Sequence, residues 1–241
     1  MVKKLTILMV PLPGVGPVNA FIGLAEVLVS RGHKVVFAVD KTLEGKLSPL
    51  GFVEELFTST MVDVKKKTGE ESANILLTSG LLSGISSLDK FKIFFGPNFT
   101  GWADNMAKMR ANEPQLRAII AKHNPDIYMT DGIMCSPTLI HSGKPWVYVF
   151  SPNPLYVIND DRTPPAFSGY PSTDSKEGFP LVANNRAIPD SPYLNIYGYP
   201  EELDYTDICP MREKWFRIDA FMRKSEQEFK IPDKFRERDN N

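Results

Sequence analysis

The feature that most constrains this chain is the unit at residues 5–31. Residues 5–10, Leu-Thr-Ile-Leu-Met-Val, are almost wholly apolar. So short an apolar run reads as a parallel strand buried on both faces. Pro11, Pro13, Gly14 and Gly16 then interrupt it. Across residues 18–31 the apolar side chains Phe21, Leu24, Ala25 and Leu28 recur at helical spacing. Arg31 and Gly32 close that helix with a cation in the last turn and a glycine past its end. Residues 34–39 read as a second strand. Crossovers of this kind are right-handed almost without exception. The alternation of strand and helix predicts an open, mostly parallel, Rossmann-like α/β sheet with helices on both faces.

The rest of the chain carries the pattern on. Residues 42–50 read as a helix, 53–57 as a weak third strand, and 61–95 as several short helices separated by Gly-Ser turns. Residues 99–122 read as a long helix that Pro114 kinks or breaks. Strands are expected at 126–130, 146–150 and 193–199, with a short helix at 135–142. Residues 159–192 are rich in Pro, Ser, Asp and Gly and read as a long irregular excursion. Residues 1–225 are expected to form one domain, and the charged stretch 226–241 a linker or tail.

Charge and cysteines exclude several classes of function. With 28 basic and 29 acidic residues the net charge is -1, so neither nucleic acid nor an anionic membrane is expected as a partner. The run Lys65-Lys66-Lys67 reads as a solvated surface. Cys135 and Cys209 make neither a disulfide framework nor a metal motif, and a reducing, cytoplasmic setting fits them. The apolar run after Lys3-Lys4 is too short for a signal peptide and ends at Pro11. No stretch reaches the roughly 20 apolar residues of a membrane span. In that setting the sequon Asn98-Phe99-Thr100 carries no meaning.

In an open parallel sheet the ligand crevice lies beyond the carboxyl ends of the strands. Three post-strand loops, at residues 11–18, 131–135 and 151–156, are therefore expected to converge on one edge. The first is not a dinucleotide fingerprint. Gly14-Val15-Gly16 is followed three residues on by Asn19 instead of glycine, and Pro17 removes an amide that would face a phosphate. No Walker pattern, zinc-ligand spacing or nucleophile elbow occurs.

Four segments together carry a resemblance. They are Pro11-Leu12-Pro13-Gly14-Val15-Gly16-Pro17-Val18-Asn19-Ala20 with the helix up to Arg31-Gly32-His33-Lys34; Pro125-Asp126-Ile127 through Asp131; Gly143-Lys144-Pro145-Trp146-Val147; and Ser191-Pro192-Tyr193-Leu194-Asn195-Ile196-Tyr197 with Tyr199-Pro200-Glu201-Glu202-Leu203-Asp204-Tyr205. The chain resembles the N-terminal half of UDP-glycosyltransferases, most closely the soluble arthropod (mite-type) branch. The resemblance implies one half of a two-domain GT-B fold, the half that binds a small lipophilic acceptor bearing a hydroxyl. The family's second half binds the UDP-sugar, and the sequence stops where that half would begin, with Ile231-Pro232-Asp233-Lys234 similar to the linker. The expectation is an acceptor half that uses no cofactor of its own. UDP-sugar would be a co-substrate only with a donor domain, which a separate chain could supply.

One position departs from the family. Its first loop carries a histidine that serves as general base, and Pro17 stands at the matching place. Proline has no group that can take a proton. The aspartate that orients that histidine matches Asp131. Two readings of Asp131 remain open: a site residue, or a cap on the following helix. Pro17 is also a favourable residue for a first helical turn. The residues expected to contact substrate are Gly16, Pro17, Val18, Asn19, Met134, Ser151 and Asn153, with Asp131 as the catalytic partner and no metal. His33, His123 and His141 read as structural. Trp102, Phe94 and Phe95 read equally as acceptor pocket or core. Activity of the chain alone is not expected, and the alternative function is a non-catalytic binder of small hydrophobic ligands.

Overall fold

The structure, a computed structural model of the 241-residue chain, describes residues 3–58, 69–94, 102–131, 135–154, 157, 190–207, 212–219 and 221. Its elements run β1 (Thr6–Val10), α1 (Val15–Ser30), β2 (Lys34–Asp40), β3 (Val53–Phe57), α2 (Gly69–Thr78), α3 (Ser87–Phe94), α4 (Trp102–His123), β4 (Ile127–Thr130), α5 (Pro137–Ile140), β5 (Trp146–Phe150), β6 (Leu194–Gly198) and β7 (Trp215–Ile218). The strands form a single sheet in the order β3-β2-β1-β4-β5-β6-β7, and every pairing is parallel. The expected Rossmann-like α/β architecture is therefore what forms.

Side chains alternate across a strand, so the sheet builds two cores. Ile7 and Met9 of β1 meet Phe21 and Ala25 of α1, together with Phe37 and Val39 of β2. Leu8, between them, faces the other way, toward Leu116 and Ile119 of α4, Leu139 of α5, and the aromatic group Tyr148, Tyr197 and Trp215. Leu8, Met9, Phe21 and Phe37 are fully buried, and each such side chain contributes about 1.5–3 kcal/mol by leaving water.

Helix α1 starts three residues before the apolar periodicity suggests. Gly14 is its capping residue, and the Val18 amide donates to the Gly14 carbonyl at 3.1 Å. Pro17 thus falls in the first turn, where backbone amides have no partner inside the helix, and its missing N–H removes nothing. At the other end the His33 amide bonds to the Leu28 carbonyl and the Gly32 amide to that of Val29. That pair of bonds is a Schellman cap. It needs a left-handed residue at Gly32, whose φ is +86°.

Three expectations are corrected. Residues 42–50 are not a helix but two single 3-10 turns, Lys41–Leu43 and Ser48–Leu50. Gly45, at φ +73°, separates them, and the Glu54 carboxylate draws in the amides of Gly45, Leu47 and Ser48 that a helix would have used. Helix α4 runs through Pro114 for 22 residues without a break. The helix before β5 is one turn, α5, where 135–142 had been expected. Strand β7 has no counterpart in the sequence reading. The Lys65 run, the sequon, Cys209, the excursion 159–189 and the tail 226–241 lie outside the described residues.

Candidate functional site

The sheet order reverses direction at one place. From β1 the chain crosses to β2 on one side, whereas β4 lies on the other side of β1 and leads on to β5. Loops leaving β1 and β4 therefore part company, and the crevice between them is where open α/β sheets take ligands. The register sets the strand ends level: Val10 pairs with Thr130, and the Thr130 hydroxyl donates to the Val10 carbonyl at 3.2 Å. Asp131 is the next residue along. Ser151, the first residue past β5, donates its hydroxyl to Asp131 Oδ2 at 2.7 Å. The loops after β1, β4 and β5 thus open on one edge.

Asp131 is 2% exposed and is the one buried ionisable carboxylate among the described residues. Burial pushes its carboxyl up to about 6, against the pull of the Ser151 hydroxyl. Burial and the nearby Asp131 charge also push the Cys135 thiol up to about 12, and burial raises the Tyr148 phenol as well. Both groups are therefore neutral, and Asp131 is the charge-bearing group at this point. It does not cap the next helix, since the residue in the capping position of α5 is Ser136.

The other predicted residues are placed as follows. Gly16 is exposed at the start of α1, and a Cβ built there would meet nothing within 4 Å. Pro17 and Asn19 are half-buried on the same turn. Val18 packs into the core under α1. Asn153 donates to the phenolic oxygens of Tyr199 at 3.3 Å and Tyr205 at 3.2 Å, at the ends of β5 and β6. Met134 lies outside the described residues, as do the side chains of Trp102 and Phe94 and all of Phe95.

The three histidines sit elsewhere. His33 accepts from the Leu5 amide at 3.1 Å, at the opposite edge of the sheet. His123 closes α4 against Glu55, Nε2 to Oε1 at 2.6 Å. Burial pulls the Glu55 carboxyl up, but Lys122 and His123 outweigh it and hold it below its ordinary value. His141 ends α5. No group of His, Cys, Asp and Glu among the described residues could hold a metal ion. No helix among them is long and apolar enough to cross a membrane.

Sequence reasoning missed part of this edge. Tyr199 and Tyr205 stack with ring centres 5.8 Å apart and share Asn153, although their segment was noted only for its resemblance. Val15 is 81% exposed on the first turn of α1. Thr138 of α5 bonds to the Glu113 carboxylate of α4, and the buried Ser136 hydroxyl has no partner among the described residues. A tyrosine immediately after a strand was the available signal for the first of these.

No protein-family model matches the sequence, and no curated protein matches it. Solved structures do. SsfS6, a glycosyltransferase of Streptomyces sp. SF2575, superposes with a TM-score of 0.52 at 13% identity over 95% of this chain and 57% of its own. The calicheamicin glycosyltransferase CalG4 gives 0.47 at 16% identity over 89% and 51%, and the kitacinnamycin glycosyltransferase 0.40 at 19% identity over 62% and 31%. The chain spans little more than half the length of the first of these and less of the last. Its seven-stranded parallel sheet is the Rossmann-like fold that makes one half of a GT-B glycosyltransferase.

Proposed function

We propose that the chain is the acceptor-binding half of a sugar-transferring enzyme similar to the UDP-glycosyltransferases of the soluble arthropod branch. Its ligands are small lipophilic molecules that carry a hydroxyl. The observation that carries this reading is Asp131. It is a buried carboxylate at the end of β4, at the point where the sheet order reverses. Exposed Val15 and the Tyr199–Tyr205 pair supply apolar and aromatic surface on the same edge. Sites for small molecules combine such surface with a few placed polar groups. Gly16, Pro17, Asn19, Met134, Ser151 and Asn153 are the proposed contacts. This half takes no cofactor or metal; the UDP-sugar is a co-substrate held by a donor half on the same or a separate chain. A cytoplasmic setting suits a chain with two cysteines far apart in sequence.

Titration calorimetry of the 241-residue chain tests the reading. Lipophilic alcohols and phenols are expected to bind, and UDP-sugar alone is not. A broad panel with no binder overturns the proposal.

A second reading, a binder without catalysis, is favoured by Pro17, which has no titratable group in the family's base position. Supplying a donor half separates the two. General base catalysis contributes on the order of 10²–10⁴-fold, so in a chain with no base of its own Pro17→His is expected to raise turnover by that range. A native chain with no turnover beside an active Pro17→His variant makes the native protein a binder.

A further inference from the structure

The acceptor-half reading leaves a task unassigned: something must take the proton of the hydroxyl. We infer that Asp131 itself, through Oδ1, receives the hydrogen bond of the bound hydroxyl and accepts its proton, with no imidazole between them. The inference rests on the acceptor-half reading and goes beyond it, because in the family this aspartate acts through a histidine.

Three observations carry it. The carboxylate is 2% exposed, Oδ2 is occupied by the Ser151 hydroxyl at 2.7 Å, and Oδ1 has no hydrogen bond among the described residues. A hydrogen bond to a carboxylate oxygen of so buried a residue is electrostatically stronger than one in open water, so a donor brought by a ligand is favoured there. Next, the chain has three histidines, and none is at this edge: His33 serves the Leu5 amide, His123 serves Glu55, and His141 ends α5 on the way to β5. Last, the other titratable neighbours, Cys135 and Tyr148, are held neutral by burial and by the Asp131 charge itself. Burial also makes Asp131 a stronger base than an ordinary carboxylate while leaving it ionised at neutral pH.

The step balances when a donor half supplies a nucleoside-diphosphate sugar. The acceptor O–H bond breaks and the proton passes to Oδ1. The acceptor oxygen forms a bond to the anomeric carbon. The bond from that carbon to the diphosphate oxygen breaks, and its electron pair leaves with the nucleoside diphosphate.

The test needs only the chain itself and a phenol that colours on ionisation, 4-nitrophenol. A carboxylate facing the hydroxyl favours the phenol over the phenolate. The wild-type chain is therefore expected to bind the neutral dye at least about tenfold more tightly than its anion, which moves the titration of the bound dye up by about one pH unit or more. In Asp131→Asn the two forms are expected to bind within about threefold. Ser151→Ala keeps the charge and frees Oδ2, so it is expected to enlarge the wild-type preference; it serves if the asparagine variant does not fold. Binding with the same preference in wild type and Asp131→Asn, or a preference unchanged in Ser151→Ala, overturns the inference and leaves the acceptor-half reading standing. A dye that binds no variant, within a panel that also fails, overturns both.

Discussion

Two carboxylates in this protein respond to pH with opposite sign. Asp131 holds its proton up to about 6 because it is buried. Between about pH 4 and 6 the folded chain binds a proton that the unfolded chain has released, so stability falls as pH rises through that window and is level above it. The displacement from an ordinary aspartate corresponds to about 3 kcal/mol. Asp131→Asn is therefore expected to be more stable than wild type at pH 7 by up to about that amount. The two should converge near pH 4, as read from urea unfolding at both pH values. Equal stability at pH 7 would show that the carboxyl is not strained by burial. At Glu54, burial raises the carboxyl but the Gly45, Ser48 and Leu47 amides outweigh it and bring it below its ordinary value. Its contribution is present at neutral pH and is lost as pH falls through that lowered value. Asp131 was legible through the resemblance and through its place directly after an apolar strand, with a helix cap as the open alternative. The sequence held no hint of Ser151 as its donor, because the two are 20 residues apart and meet only through the pairing of β4 with β5.

At the scale of elements, apolar runs flanked by Gly or Pro marked β1, β2, β4 and β5 well, because strands buried on both faces need nothing else. The element at 42–50 misled for an equally physical reason. Leu43, Leu47 and Leu50 keep helical spacing, yet Glu54 on β3 captures the backbone there. Glu54→Gln removes the charge and one of the two acceptor oxygens, and is expected to cost about 1.5–3 kcal/mol in chemical unfolding. A neutral result would mean that the turns hold themselves. Helix α4 shows the converse. Pro114 is exposed and the helix continues past it, leaving the Arg110 carbonyl without its amide. Interior proline costs about 3 kcal/mol relative to alanine. Pro114→Ala should therefore raise the melting temperature, by several degrees if most of that cost is recovered; a fall would point to a designed bend. Strand β7 was invisible because its four residues sit among Arg212, Glu213, Lys214 and Asp219, and Phe216 faces water. Edge strands bury one side at most, so their apolar signal is weak.

At the scale of the molecule, the order β3-β2-β1-β4-β5-β6-β7 fixes both where a ligand goes and how the chain must assemble. The sequence implied parallel strands, but the neighbours of β1 could be found only from coordinates. That pairing has a kinetic side. Val10 and Thr130, which sit side by side at the centre of the sheet, are 120 residues apart in the chain. No two strands of this sheet are joined as a hairpin, so every pairing must wait for a crossover to close. Folding must close that long loop before the contacts that reward it exist, and chains rich in such distant pairings fold slowly. Refolding from urea is expected to take on the order of seconds or longer, with the β1–β4 seam among the last amides to gain protection from hydrogen exchange. The seam that creates the crevice is then also the last part of the protein to exist, and a freshly made chain spends its early life without a site.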